Sequence, residues 1–140
     1  MHIEQANHED QDVIDGICSI ENTVFYENAL GEGTLRKEIA AGFCVVLREY
    51  RNGPVLGFAL VRPDPELHDL LRLGVLPGYQ GRRYGSWILE HVLARLPGPM
   101  MLMVRKDNEV AKHLYKTNGF RIVATTGTSW VMRRATSSTS

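Results

Sequence analysis

One segment of the 140-residue sequence has the composition of an anion site. Pro77-Gly78-Tyr79-Gln80-Gly81-Arg82-Arg83-Tyr84-Gly85 leaves an apolar stretch ending at Val75 and enters the clearest helical periodicity in the chain. Gly81 and Gly85 let the backbone turn closely, the first turn of a helix has N–H groups without intrahelical acceptors, and Arg82 and Arg83 add positive charge. The chemistry on offer is capture of a phosphate group. The same residues also read as a solvated strand-to-helix loop with incidental arginines. Neither GxGxxG nor GxxxxGK[ST] occurs, so the segment is neither a dinucleotide fingerprint nor a Walker A loop. Cys18 and Cys44 are not spaced as a metal pair or a disulfide framework, and no His/Cys/Asp/Glu cluster has metal-ligand spacing; no metal is expected.

The elements around this turn follow from periodicity. Val13, Ile14 and Ile17 share a helical face within 9–19, and Leu35 and Ile39 mark a second helix over 34–40. Residues 43–50 and 55–61 read as strands joined through Asn52-Gly53-Pro54, and 69–75 as a third. Ile88, Leu89, Val92, Leu93 and Leu96 form the stripe of a helix that Pro97-Gly98-Pro99 ends. A short strand at 100–104 follows. Next comes a helix at 109–117, capped by Asp107 or Asn108 and leaving through Gly119, and then a hairpin of 120–124 and 129–133. The order is helix, helix, three strands, helix, strand, helix and two strands, which predicts a mixed α/β layer fold with parallel neighbours and antiparallel hairpins.

Two motifs, in this order, carry a family resemblance. Val75, Pro77, Gln80 and Gly85 match a Val-x-Pro turn followed by Gln/Arg-x-x-Gly-x-Gly/Ala at a helix head, with Arg83 where the first motif glycine is expected. Downstream, Asn108, Ala111, Leu114, Tyr115, Gly119 and Phe120 match Asn-x-x-Ala-x-x-Leu/Phe-Tyr-x-x-x-Gly-Phe. The chain thereby resembles the GNAT superfamily, the acyl-CoA-dependent N-acetyltransferases. The resemblance implies a single-domain GNAT-like fold over 1–134, a twisted mixed sheet flanked by helices with a splayed central strand pair that admits the pantetheine arm of coenzyme A. It also implies acetyl-CoA as cosubstrate, with the pyrophosphate on Gln80, Gly81, Arg82, Arg83, Tyr84 and Gly85. Leu73, Gly74 and Val75 would meet the acyl carbonyl and pantetheine, and Asn108, Ala111 and Tyr115 would complete the cofactor site. Arg83 is expected to be helical already, where arginine costs little.

By spacing alone Tyr115 is a core aromatic; the resemblance implies a hydroxyl near the CoA sulfur that protonates the leaving thiolate, a task suited to a phenol at neutral pH. In the similar ribosomal-protein N-terminal acetyltransferases, a glutamate before the Asn motif is the base, and its position here is Met103. Methionine takes no proton. Asp69, His68 and Glu32 are the replacements, as bases or as holders of a water relay, each with an equally available structural role. Glu21, Glu27 and Glu32 with Phe25 and Tyr26 would suit a cationic, partly apolar amine, and also read as an acidic surface over a core phenylalanine. The expected activity is acetyl transfer to a primary amine, taken to be a small molecule. The alternatives are a peptide or protein amine, terminal or lysine, and a non-catalytic acyl-CoA-binding regulatory domain.

Composition sets the outer bounds. A chain of this length that is 44 % apolar can bury one sizeable core. Sixteen bases balance sixteen acids, but eight of the acids and none of the bases lie in residues 1–33. An acidic head on a basic body suits an anionic ligand better than nucleic acid, which needs a denser basic cluster. The N-terminus has no basic segment followed by an apolar run, and no stretch approaches the roughly 20 residues of a membrane span. A cytoplasmic protein without membrane or nucleic-acid partners is expected, a homodimer through the closing hairpin is a family-based expectation, and 135–140 reads as a disordered polar tail.

Overall fold

The computed structural model describes residues 1–135; apart from Ala135, the polar tail lies outside the described residues. Seven strands form one mixed sheet, in the order β1-β2-β3-β4-β5-β7-β6. They are β1 (His2–Gln5), β2 (Phe43–Arg48), β3 (Val55–Arg62), β4 (His68–Val75), β5 (Met100–Arg105), β6 (Arg121–Thr125) and β7 (Ser129–Arg134). The helices are α1 (Gln11–Ile20), α2 (Glu32–Ala41), α3 (Tyr84–Arg95) and α4 (Glu109–Thr117). Between α1 and α2 the chain passes through a π-helical turn at Glu21–Phe25 and a 3-10 turn at Tyr26–Asn28.

The central strands are apolar on both faces because both are covered. Val45, Leu47, Ala59 and Val61 point to the side occupied by Ile88, Leu89 and Val92 of α3. Their neighbours Val46, Phe58 and Leu60 point to Val13, Ile14 and Ile17 of α1 and to Leu35 and Ile39 of α2. α1 begins where the Asp10 side chain accepts the N–H groups of Asp12 and Val13, and α4 where Asn108 Oδ1 accepts the Ala111 N–H at 3.1 Å. Gly119, at φ +91°, gives α4 its left-handed exit, as expected.

Two elements differ from the sequence reading. The N-terminal strand β1 has no amphipathic signal of its own; it forms because the edge of β2 offers pairing, Ile3 opposite Leu47, and because the buried Arg48 side chain donates to Glu4. The second strand stops at Arg48 rather than at residue 50, since Glu49 N–H bonds to the Pro54 carbonyl and the chain turns through Asn52 at φ +64°.

The feature that matters for function is the parting of β4 from β5. They pair in parallel only at His68–Met100, Asp69–Met101 and Leu70–Leu102, although β4 runs on to Val75 and β5 to Arg105. Beyond Leu70 and Leu102 the sheet is open, as the resemblance implied.

Candidate active site

At the open end β4 hands over to a short turn. A 3-10 turn at Pro77–Tyr79 leads into Gln80, whose side chain donates to the Val75 carbonyl at 3.0 Å and so ties the loop to the strand end. Gly81 takes φ +78° and Arg83 φ +67°, and α3 begins at Tyr84. Arg83 is therefore left-handed rather than helical as expected. With no glycine at 83, an L-residue bears the strain of the left-handed conformation, about 1–2 kcal/mol. The first bond of α3 joins the Trp87 N–H to the Arg83 carbonyl at 3.1 Å, so the N–H groups of Tyr84, Gly85 and Ser86 face out of the helix end.

These groups border a cleft of about 660 Å³ between the end of β4, the turn and α4. Every residue expected to hold the cofactor lines it except Arg82, whose guanidinium lies over the Tyr79 ring at 5.5 Å. The space is close at Gly85, where an added Cβ would stand 3.3 Å from Leu114 Cδ2. Backbone donors, Arg83 and an apolar wall from Leu73 to Val75 are a donor set for a phosphorylated ligand with a long apolar arm.

A second cleft, about 320 Å³, opens on the other side of the gap between β4 and β5. Val24, Leu73, Asn108, Ala111 and Tyr115 line both, so the two meet at the Tyr115 ring. That ring is 7 % exposed and packs edge-on to Phe120 at 5.6 Å between centroids; burial pushes its phenol above the ordinary tyrosine range, so it holds its proton at neutral pH.

The expected bases do not gather there. His68 sits at the far end of β4, buried, with Nδ1 accepting the Asp64 N–H at 3.0 Å, so that Nε2 bears the hydrogen that the Pro97 carbonyl accepts at 2.9 Å. Asp69 lies opposite Arg62 and Met101, and burial raises its pKa. Glu32 is in the first turn of α2, paired with Arg36 at 3.1 Å. None of the three lines either cleft.

The acidic head is also differently employed. Glu21 is fully buried, where its carboxylate receives Arg72 Nε at 3.0 Å and the Leu30 N–H at 2.7 Å. Arg72 donates to the Asn28 carbonyl at 2.7 Å and lies 4.6 Å above the Phe25 ring. Of the residues expected to attract a cationic amine, only Phe25 lines the smaller cleft; Glu27 and Tyr26 are exposed. Sequence reasoning passed over Arg72, although a lone arginine among Leu70, Leu71 and Leu73 signals a buried partner.

The chain belongs to the acetyltransferase (GNAT) family, whose profile matches residues 14–120. It is 37 % identical over 76 residues to the N-alpha-acetyltransferase RimI of Mycobacterium tuberculosis, a match spanning 51 % of this chain and 48 % of that protein, so the alignment covers about half the length of this curated relative. Among solved structures, the ribosomal-protein-S18-alanine N-acetyltransferase of Escherichia coli superposes with a TM-score of 0.83 at 22 % identity, covering 99 % of this chain and 96 % of that one. The PaiA N-acetyltransferase of Thermoplasma acidophilum, solved in complex with coenzyme A, superposes with a TM-score of 0.74 at 20 % identity over 96 % of this chain and 99 % of that one. At these identities the superpositions define the fold.

Proposed function

We propose that this protein transfers the acetyl group of acetyl-CoA to a primary amine presented by a peptide. Acetyl-CoA would occupy the larger cleft, its pyrophosphate on the N–H groups between Gln80 and Gly85 and on Arg83, its pantetheine arm along Leu73–Val75. The amine would enter by the smaller cleft. Attack on the thioester then takes place at the Tyr115 ring, and the phenol gives its proton to the departing sulfur as the C–S bond breaks. The observation that carries this reading is that Tyr115 borders both clefts.

A peptide is favoured over the small cationic amine of the sequence reading because no carboxylate lines the smaller cleft among the described residues, and Arg72 and Arg105, which do line it, are paired with Glu21 and Asp107. The curated relative is named an N-alpha-acetyltransferase, which agrees. The test measures acetyl-CoA binding by calorimetry and thiol release with a panel of peptides and small amines. Acetylated peptide, lost in Tyr115→Phe with acetyl-CoA still bound, is the expected result. Binding without turnover across the panel would make the chain a non-catalytic acyl-CoA-binding domain.

A further inference from the structure

Three aromatic residues run from the wall of the larger cleft onto the outer surface of α3. Tyr79 and Tyr84 line the cleft and pack against the core, their ring centroids 6.3 Å apart. Trp87 continues the row along α3, its ring 5.9 Å from that of Tyr84 and tilted to it by 45°, and is 46 % exposed. Arg82 stands at the other end, with its guanidinium 5.5 Å from the Tyr79 ring centroid. Packing on Tyr84 restrains the indole, so a flat ligand that stacks on Trp87 has little further ordering to impose.

The row starts at the turn that would hold the pyrophosphate, where Tyr84 opens α3 and its N–H has no intrahelical acceptor. The inference that follows rests on the proposed occupancy of this turn by acetyl-CoA. With the pantetheine arm running inward along Leu73–Val75, the adenosine and its 3′-phosphate leave the pyrophosphate outward, past one of two flanks of α3. On one flank Ser86 and Glu90, one helical turn apart, line the cleft together with His113 of α4. On the other stands Trp87, about 100° round the helix axis from Ser86, in the row that Arg82 joins. A third phosphate group is drawn to the flank with the guanidinium rather than to the one with the Glu90 carboxylate, and a purine stacks where a π-face is accessible. We infer that Trp87 is the stacking platform for the adenine ring of acetyl-CoA, at the outer end of the row that begins at Tyr79.

The experiment separates the two halves of the ligand. Calorimetry on the full chain compares acetyl-CoA with S-acetyl-4′-phosphopantetheine, which keeps the thioester and the arm and lacks the adenosine. Stacking of one base on an aromatic ring is commonly strong enough that Trp87→Ala is expected to weaken acetyl-CoA about tenfold while changing S-acetyl-4′-phosphopantetheine by less than about twofold. Trp87→Phe, which keeps a π-face, should retain most of the affinity. A second measurement leaves Trp87 in place: the chain has two tryptophans, so Trp130→Phe makes Trp87 the sole indole. Its fluorescence should be quenched by saturating acetyl-CoA and not by saturating S-acetyl-4′-phosphopantetheine. Equal weakening of both ligands by Trp87→Ala, unchanged acetyl-CoA affinity in that variant, or fluorescence that does not distinguish the two ligands would overturn the inference while leaving the proposed function intact. If the wild-type chain binds neither ligand, the proposed function fails and this inference fails with it.

Discussion

The fully buried carboxylate of Glu21 meets the Arg72 guanidinium at 3.0 Å, and this pair fastens the turn after α1 to the middle of β4. Through Val24 and Phe25 that turn forms one wall of the smaller cleft. Removing one partner of such a pair leaves an uncompensated buried charge, at a cost of about 3–5 kcal/mol. Arg72→Ala is therefore expected to lower stability by about 3 kcal/mol in urea titration and to raise the acceptor KM while the affinity for acetyl-CoA stays within about twofold. Arg72→Lys, which keeps the charge, should recover most of the stability.

Tyr115→Phe preserves the packing against Phe120 and removes only the hydroxyl. A positioned acid contributes about 10²–10⁴-fold to a rate, so kcat is expected to fall within that range with acetyl-CoA binding unchanged. Because burial raises the Tyr115 pKa, the phenol stays protonated throughout the neutral range, and the wild-type rate should show no alkaline loss below about pH 10. A pH-rate profile and calorimetry of the variant check both points.

Arg83 carries a left-handed φ of +67° that glycine would adopt without a Cβ clash. Set against glycine's own entropic cost, Arg83→Gly is expected to stabilise the protein by about 0.5–1 kcal/mol, raising the Tm by about 2–4 °C. The same change removes a cation from the larger cleft, so acetyl-CoA binding should weaken severalfold, by a smaller factor at high salt. Calorimetry at two ionic strengths alongside a thermal melt reads the two opposite signs.

Gly85 stands where a Cβ already comes within 3.3 Å of Leu114. Gly85→Val should crowd the helix head and weaken acetyl-CoA by more than about tenfold, or about 1.4 kcal/mol. Unchanged affinity in the titration would move the pyrophosphate to another part of the protein.

Much of this molecule was legible from local pattern. The stripe from Ile88 to Val92 and the capping Asn108 specify α3 and α4 because a helix is recognised by contacts within a few residues. The turn from Gln80 to Gly85 was legible for the same reason, since glycine spacing and a helix start describe a strand-to-helix turn with free N–H groups without reference to the rest of the chain. What the amino-acid order could not reveal was whatever depends on distant partners. β1 exists because β2 offers it an edge, and the single apolar Ile3 gives no period to read. Glu21 looked like a free surface acid, but its partner Arg72 is 51 residues away and both are consumed in the wall of the cleft. The φ of Arg83 depends on where β4 ends and α3 must start, a geometric demand that the residue type itself opposes. The meeting of two clefts at Tyr115 depends on β4 and β5 separating after Leu70 and Leu102, and that separation is a property of the assembled sheet. The sequence by itself determined the four helices, the strands from β2 onward, the glycine-bearing turn before α3 and the family; tertiary structure alone decided which side chains line the two clefts, because that facing is set by pairings between segments far apart in the chain.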